Sequence, residues 1–183
     1  MKIAITGKMC SGKSTIAQFI QSTDNQYQIF SFGKKVKEVA NDLFKMNPEH
    51  KDRTLLTSIG TKMREIDPDI WTKYIIHQTK DTDFCIIDDL RYQNEYDFLI
   101  KHNFKIIQLI VSPELQEERI KQIYPNNYQD HLNNRTHISE KNEFHWTENH
   151  LPDLIIDTSQ SVQTIENIIL QFIKKENILQ EWI

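Results

Sequence analysis

Eight consecutive residues, Gly7-Lys8-Met9-Cys10-Ser11-Gly12-Lys13-Ser14, restrict the folds open to this chain more than any other stretch. The apolar run Ile3-Ala4-Ile5 precedes them, and Thr15-Ile16-Ala17-Gln18-Phe19-Ile20 follows with apolar residues at helical spacing. The order is strand, glycine loop, helix, and the loop reads G-x-x-x-x-G-K-S, the pattern of a phosphate-binding loop. Gly7 and Gly12 permit backbone conformations that a side chain would forbid, so successive N–H groups can turn inward onto phosphate oxygens. The helix starting near Lys13 adds the positive end of its dipole. The Lys13 ammonium can reach β- and γ-phosphates, and the Ser14 hydroxyl can ligate the Mg²⁺ that accompanies them. Gly7 to Thr15 are therefore the expected nucleoside triphosphate ligands. Cys10, beside a helix N-terminus, is expected to carry a thiol of lowered pKa.

A chain of 183 residues is long enough for one well-buried core. Lys and Arg number 22 against 26 Asp and Glu, and the basic residues are scattered, which argues against a nucleic acid polymer as partner. Two cysteines, Cys10 and Cys85, are too few for a disulfide framework and suit a reducing compartment. Neither a leader before Gly7 nor an apolar run of membrane-spanning length is evident. The expectation is a single cytoplasmic domain over residues 1–183, without membrane contact and compatible with a homodimer.

Taken in order, Lys2–Thr6 reads as a central strand and Lys13–Ser22 as the first helix. Tyr27–Phe32 reads as a second strand closing at Gly33, and Lys34–Lys45 as a helix with Val36, Val39, Ala40, Leu43 and Phe44 on one face. After a polar break at 47–52, Leu55, Leu56, Ile59 and Met63 mark another helix. Asp67-Pro68-Asp69 then reads as an N-cap with proline at the first helical position, opening a helix through Trp71, Tyr74 and Ile75. This helical excursion, about residues 34–80, is longer than a crossover needs and is where a second substrate could be held. Phe84-Cys85-Ile86-Ile87-Asp88-Asp89 is a buried-type strand ending in two carboxylates, the form of a Walker B strand. Further strands are expected at 104–111 and 154–156, helices at 94–102 and 114–123, and a final helix from Val162 behind a Ser161 N-cap. Tyr124–His150, rich in Asn, Gln, His and charge, reads as a polar insert outside the core. Five strands alternating with helices predict an α/β fold, a five-stranded parallel sheet flanked by helices with ligands at the strands' carboxyl ends.

The remaining chemistry must reach the γ-phosphate. Asp89 and Arg91 are two apart on an extended segment, so both are expected to point one way, the acid to organise Mg²⁺ or take a proton and the guanidinium to fork onto phosphate. An ordinary Asp–Arg ion pair is the competing reading. Asp88 is the other carboxylate that could serve the metal with Ser14, and strand twist decides between the two. Arg64 near a helix end could bind a phosphate, and Trp71 could stack a base or simply pack in the core. Arg119, Lys121 and Arg135 are the cations able to close on a triphosphate from the region 120–150. Zinc at His131, His137, His145 and His150 is not favoured without a cysteine pair.

The combination of Gly7–Ser14, the run from Gly60-x-x-x-Arg64 to Asp69-Ile70-Trp71, Asp89-Leu90-Arg91-Tyr92-Gln93-Asn94-Glu95, and His137-Ile138-Ser139-Glu140 resembles the phage-type deoxynucleoside monophosphate kinases. The resemblance runs in order over most of the chain. It implies an adenylate-kinase-like fold, Mg-ATP as donor and a nucleoside 5′-monophosphate as acceptor. It further implies that Phe32, Arg64, Trp71, Arg91 and Glu95 contact the acceptor, that Lys13, Arg64, Asp89 and Arg91 are catalytic, that Ser14 with Asp88 and Asp89 holds Mg²⁺, and that Arg135 and His137 lie in a lid at about 120–150. The sequence departs from the family at Gln93, where proline is usual, at Leu90, where valine is, and at Asp88, where a small hydroxyl residue is common. Animal-type phosphomevalonate kinases share a similar R-x-x-D-P run and S-D-x-R, so a non-nucleotide acceptor stays open, as does a regulatory nucleoside triphosphatase without acceptor.

Overall fold

A computed structural model describes residues 1–46, 52–133, 135, 140, 144 and 151–180. Strands β1 (Lys2–Gly7), β2 (Gln28–Phe30), β3 (Cys85–Leu90), β4 (Phe104–Ile110) and β5 (Leu154–Asp157) form one sheet in the order β2-β3-β1-β4-β5, and every pairing is parallel. β1 lies at the centre between β3 and β4, which is why Ile3, Ala4 and Ile5 are fully buried and why its sequence is continuously apolar rather than alternating.

The helices are α1 (Lys13–Thr23), α2 (Phe32–Phe44), α3 (Arg53–Ile66), α4 (Ile70–Thr79), α5 (Gln93–Lys101), α6 (Pro113–Ile123), α7 (Tyr128–Asn133) and α8 (Val162–Gln180). They cover both faces of the sheet. Ile3 and Ile5 point to a core with Ile16, Ala17 and Ile20 of α1 and Ile169 and Phe172 of α8, whereas Ala4, one residue between them, joins the opposite core with Trp71 and Ile75 of α4 and Tyr96 and Leu99 of α5. Period-two alternation along a strand therefore sorts β1 between two hydrophobic layers. A small satellite core of Ala40, Met46 and Ile59 joins α2 to α3, so the helical excursion is internally packed. Among the described residues no helix is long and apolar enough to cross a membrane.

Three local expectations differ from the structure. β2 stops at Phe30, and α2 begins at Phe32 with Gly33 in its first turn, because the Asp89 carboxylate reaches across from β3 and starts the helix there: it accepts from Ser31 Oγ at 2.7 Å and from the Phe32 and Gly33 N–H groups at 2.9 and 2.8 Å. Asp67 is the C-cap of α3 rather than the N-cap of the next helix. Its carboxylate accepts from the Asp69 N–H, a local turn that delays α4 to Ile70. The polar insert is anchored at single points: His131 on α7, Glu140 and Phe144 are all buried, with Phe144 against the Tyr96 ring. The Ser161 N-cap is as expected, accepting from the Thr164 N–H at 3.2 Å.

Candidate active site

The carboxyl ends of β1, β2, β3 and β5 open on one side of the sheet, where a cavity of about 800 Å³ is lined by Met9 to Thr15, Phe32, Arg64, Trp71, Asp88, Asp89, Arg91, Glu95 and Arg119 among others. Residues widely separated in sequence are thus brought together by the parallel topology, which returns each strand to the same edge.

The loop after β1 has the backbone its glycines foretell. Gly12 has φ 97°, and a Cβ on Gly7 would lie 2.6 Å from Ser11 Oγ and 3.0 Å from the Leu109 carbonyl. Cys10 adopts φ 59° without being glycine. Neighbours hold that strained residue in place: Gln116 of α6 donates to the Met9 carbonyl at 2.9 Å, and Arg119 donates to the Cys10 carbonyl at 3.3 Å while tying itself to Thr158. Lys13 is buried and donates to the Gly7 and Lys8 carbonyls at 2.6 and 2.8 Å. Burial, with the Arg91 charge second, lowers its pKa to about 8. Burial likewise outweighs the nearby cations at Cys10 and raises its thiol pKa, against the expectation of a lowered value.

The two aspartates at the end of β3 face different partners. Ser14 Oγ donates to Asp88 Oδ2 at 2.9 Å. Burial and the adjacent Asp89 charge push the Asp88 carboxyl up. A hydroxyl and a carboxylate are hard oxygen donors that suit Mg²⁺, and a cation there would relieve the penalty on Asp88, so this pair fits the metal. Asp89 lines the same cavity, but its oxygens are engaged by the first turn of α2, a charge-assisted cap worth on the order of 1–2 kcal/mol.

Arg64 and Arg91 are both anchored. Arg64 donates to Glu95 Oε1 at 2.8 Å and to the Gly60 carbonyl at 3.2 Å, with its guanidinium 3.9 Å from the Tyr92 ring centroid. Arg91 pairs with Glu140, whose other oxygen accepts the Met9 N–H at 2.7 Å. Glu140, the last residue of the His137-Ile138-Ser139-Glu140 run, therefore joins the glycine loop to Arg91, a role that sequence reasoning did not assign to it. Trp71 packs in the core, the second of the two roles open to it, donates to the Gly60 carbonyl at 3.2 Å and forms part of the cavity wall. Lys121 and Arg135 do not line the cavity; both pair with Glu117 on α6, at 2.8 and 3.3 Å. His137, His145 and His150 lie outside the described residues. His131 stacks on Tyr124 and sets Nδ1 3.4 Å from Met9 Sδ. Among the described residues no group of three His, Cys, Asp or Glu could hold a metal. Sequence reasoning missed two cations that the cavity does include, Lys37 on α2 and Arg53 at the start of α3.

Glu95 is buried to 1% exposure, and it also accepts from the Arg91 and Tyr92 N–H groups. Burial pushes its carboxyl from the ordinary 4.5 up to about 7. The folded state then holds a proton that the unfolded chain releases, so the group's stabilising contribution is full below about pH 4.5 and is lost as pH rises through 7. Glu95→Gln is expected to flatten the fall in Tm between pH 5 and 8, by an amount equivalent to on the order of 2 kcal/mol. Parallel Tm-against-pH curves for the two proteins, by calorimetry, would remove Glu95 as the source.

Residues 3–143 match the family model described as an AAA domain. A UPF0200 protein of Methanococcus vannielii is 32% identical over 122 residues, a match covering 64% of each chain, so this chain spans 64% of the length of that curated relative. Among solved structures, TT1252 from Thermus thermophilus superposes with a TM-score of 0.65 at 12% identity, covering 96% of this chain and 97% of that one. Shikimate kinase from Aquifex aeolicus gives 0.55 at 15% identity, covering 97% and 99%. A gluconokinase from Sinorhizobium meliloti gives 0.56 at 15%, covering 98% and 96%. The fold is that of the P-loop kinases.

Proposed function

The chain belongs to the AAA domain family, and on that footing we propose that it is a kinase that moves the γ-phosphoryl group of ATP to a nucleoside 5′-monophosphate, deoxynucleotides included, as in the phage-type family it resembles. An acceptor phosphate oxygen attacks the γ-phosphorus, the bond from that phosphorus to the β,γ-bridging oxygen breaks, and its electron pair leaves with ADP. Lys13 and the loop N–H groups take the triphosphate. Ser14 and Asp88 hold Mg²⁺, which neutralises the charge on its phosphates when bound. Arg64 and Arg91 take the acceptor phosphate, with Phe32 and Trp71 supplying flat apolar wall for a base.

The observation that carries the acceptor class is the occupation of Asp89. Transfer to a sugar hydroxyl needs a group to take the hydroxyl proton, whereas a phosphate monoester, with its second pKa near 6, already presents an ionised oxygen at pH 7. Asp89 is spent on the α2 N-terminus, and the cavity beside it carries the Arg64 and Arg91 guanidinium groups. That is an arrangement for an anionic nucleophile.

ADP release measured against a panel of ribo- and deoxynucleoside monophosphates, with phosphomevalonate, shikimate and gluconate alongside, tests the reading. Turnover should depend on a nucleoside monophosphate. Turnover with a sugar or shikimate hydroxyl instead, or ATP hydrolysis indifferent to any acceptor, would overturn it.

A further inference from the structure

Arg64, Arg91, Arg119 and Arg135 each have a carboxylate or carbonyl partner. Arg53 has none among the described residues. Its guanidinium lies 5.8 Å from the Tyr124 ring centroid, and its Nε is buried without a hydrogen-bond partner. It is also the first residue of α3, where the helix dipole disfavours a cation, although Asp52 beside it caps that helix by accepting from the Leu55 N–H at 2.9 Å. A guanidinium that is unneutralised, partly buried and set against its own helix dipole breaks several local rules at once, and such departures concentrate at functional sites.

The position says what it would meet. Arg53 lines the same cavity as Cys10 and Lys13, and its charge is one of those acting on the Cys10 thiol, so it faces the glycine loop from the acceptor arm. Tyr124, where α6 ends, carries the Arg53 guanidinium 5.8 Å from its ring centroid and the His131 ring stacked on it at 3.7 Å. We propose that Arg53 contacts the γ-phosphoryl group of the bound nucleoside triphosphate, as a cation delivered from the acceptor arm onto the group being transferred. The role resembles that of an arginine finger supplied within one chain. It rests on the cavity being a triphosphate site, but not on which acceptor is used.

Affinities of Arg53→Ala and Arg53→Lys for ADP and for the β,γ-imido analogue of ATP, each with Mg²⁺, test this by calorimetry. Arg53→Ala should bind the triphosphate analogue at least about tenfold more weakly while ADP affinity changes less than about threefold. Lysine should recover only part of the loss, because a point charge lacks the planar fork. With an accepted monophosphate, kcat should fall about a hundredfold in Arg53→Ala, and added guanidinium ion should restore part of it. Equal losses for ADP and the analogue, or no loss for either, would overturn the assignment and leave Arg53 as a packing residue against Tyr124. Failure of the wild-type protein to phosphorylate any monophosphate would sink the proposed acceptor while the difference between ADP and the analogue still decides Arg53.

Discussion

Lys13→Ala lowers turnover by about a thousandfold or more, with the protein still folded. The side chain is the cation nearest the base of the loop, and a charge that follows the transferring phosphoryl group contributes several kcal/mol to the transition state alone. In the resting protein it spans the Gly7 and Lys8 carbonyls, so the substitution also takes a donor from the buried Gly7 carbonyl, while the Lys8 carbonyl keeps the Ser11 N–H at 3.2 Å. A modest drop in Tm should accompany the loss of rate, and Lys13→Met, which retains the apolar stem, should recover more of the Tm than of the rate. Steady-state kinetics with circular-dichroism melting separates the two effects. Near-normal turnover in either variant would mean that the loop binds nucleotide without taking part in transfer.

Arg64→Ala and Arg91→Ala are expected to impair transfer to the acceptor far more than binding of ATP. Losing a charge-assisted, forked contact to phosphate costs on the order of 2–4 kcal/mol, roughly thirty- to a thousandfold in kcat/KM for the acceptor. Arg64 gives the cleaner result. It is held by Glu95, Gly60 and Tyr92, all on the acceptor side, whereas Arg91 reaches the glycine loop through Glu140. Some loss of ATP affinity should therefore appear in Arg91→Ala and not in Arg64→Ala. Lysine should rescue neither well, since Arg64 uses two nitrogens and its flat face at once. If acceptor kinetics are unchanged, or if the losses fall only on ATP binding, both arginines are structural and the regulatory nucleoside triphosphatase becomes the better reading.

The glycine loop was legible because nearly every position in it has a single physical job, and the sheet was legible because strands buried on two faces must be continuously apolar. What stayed hidden depended on contacts that no local pattern encodes. Asp88 and Asp89 are adjacent and chemically identical, and only the path of β3 sends one to Ser14 and the other to Ser31, 58 positions from Asp89. Arg53 follows a polar break and looks like solvated charge until the fold brings α6 beside it. His131 is buried singly within a polar run and leaves no period to read, and the short run ending in Glu140 marks that residue without saying what it bridges. The early start of α2 has the same origin, since its capping carboxylate belongs to another strand.

That division of labour at the end of β3 sets a tolerance. On the proposed reading, the donor's metal ligand, Asp88, and the carboxylate that caps α2, Asp89, are consecutive residues, so a single trans peptide unit, about 3.8 Å between Cα atoms, separates their points of attachment. Bond lengths do not breathe. When the helices on either side shift, Asp88 and the α2 cap at Asp89 stay referred to the same strand, so these two points of attachment share one rigid gauge. In a reaction where an error of 1 Å can cost about a hundredfold, this chain has placed its reference mark where the covalent backbone itself holds the distance.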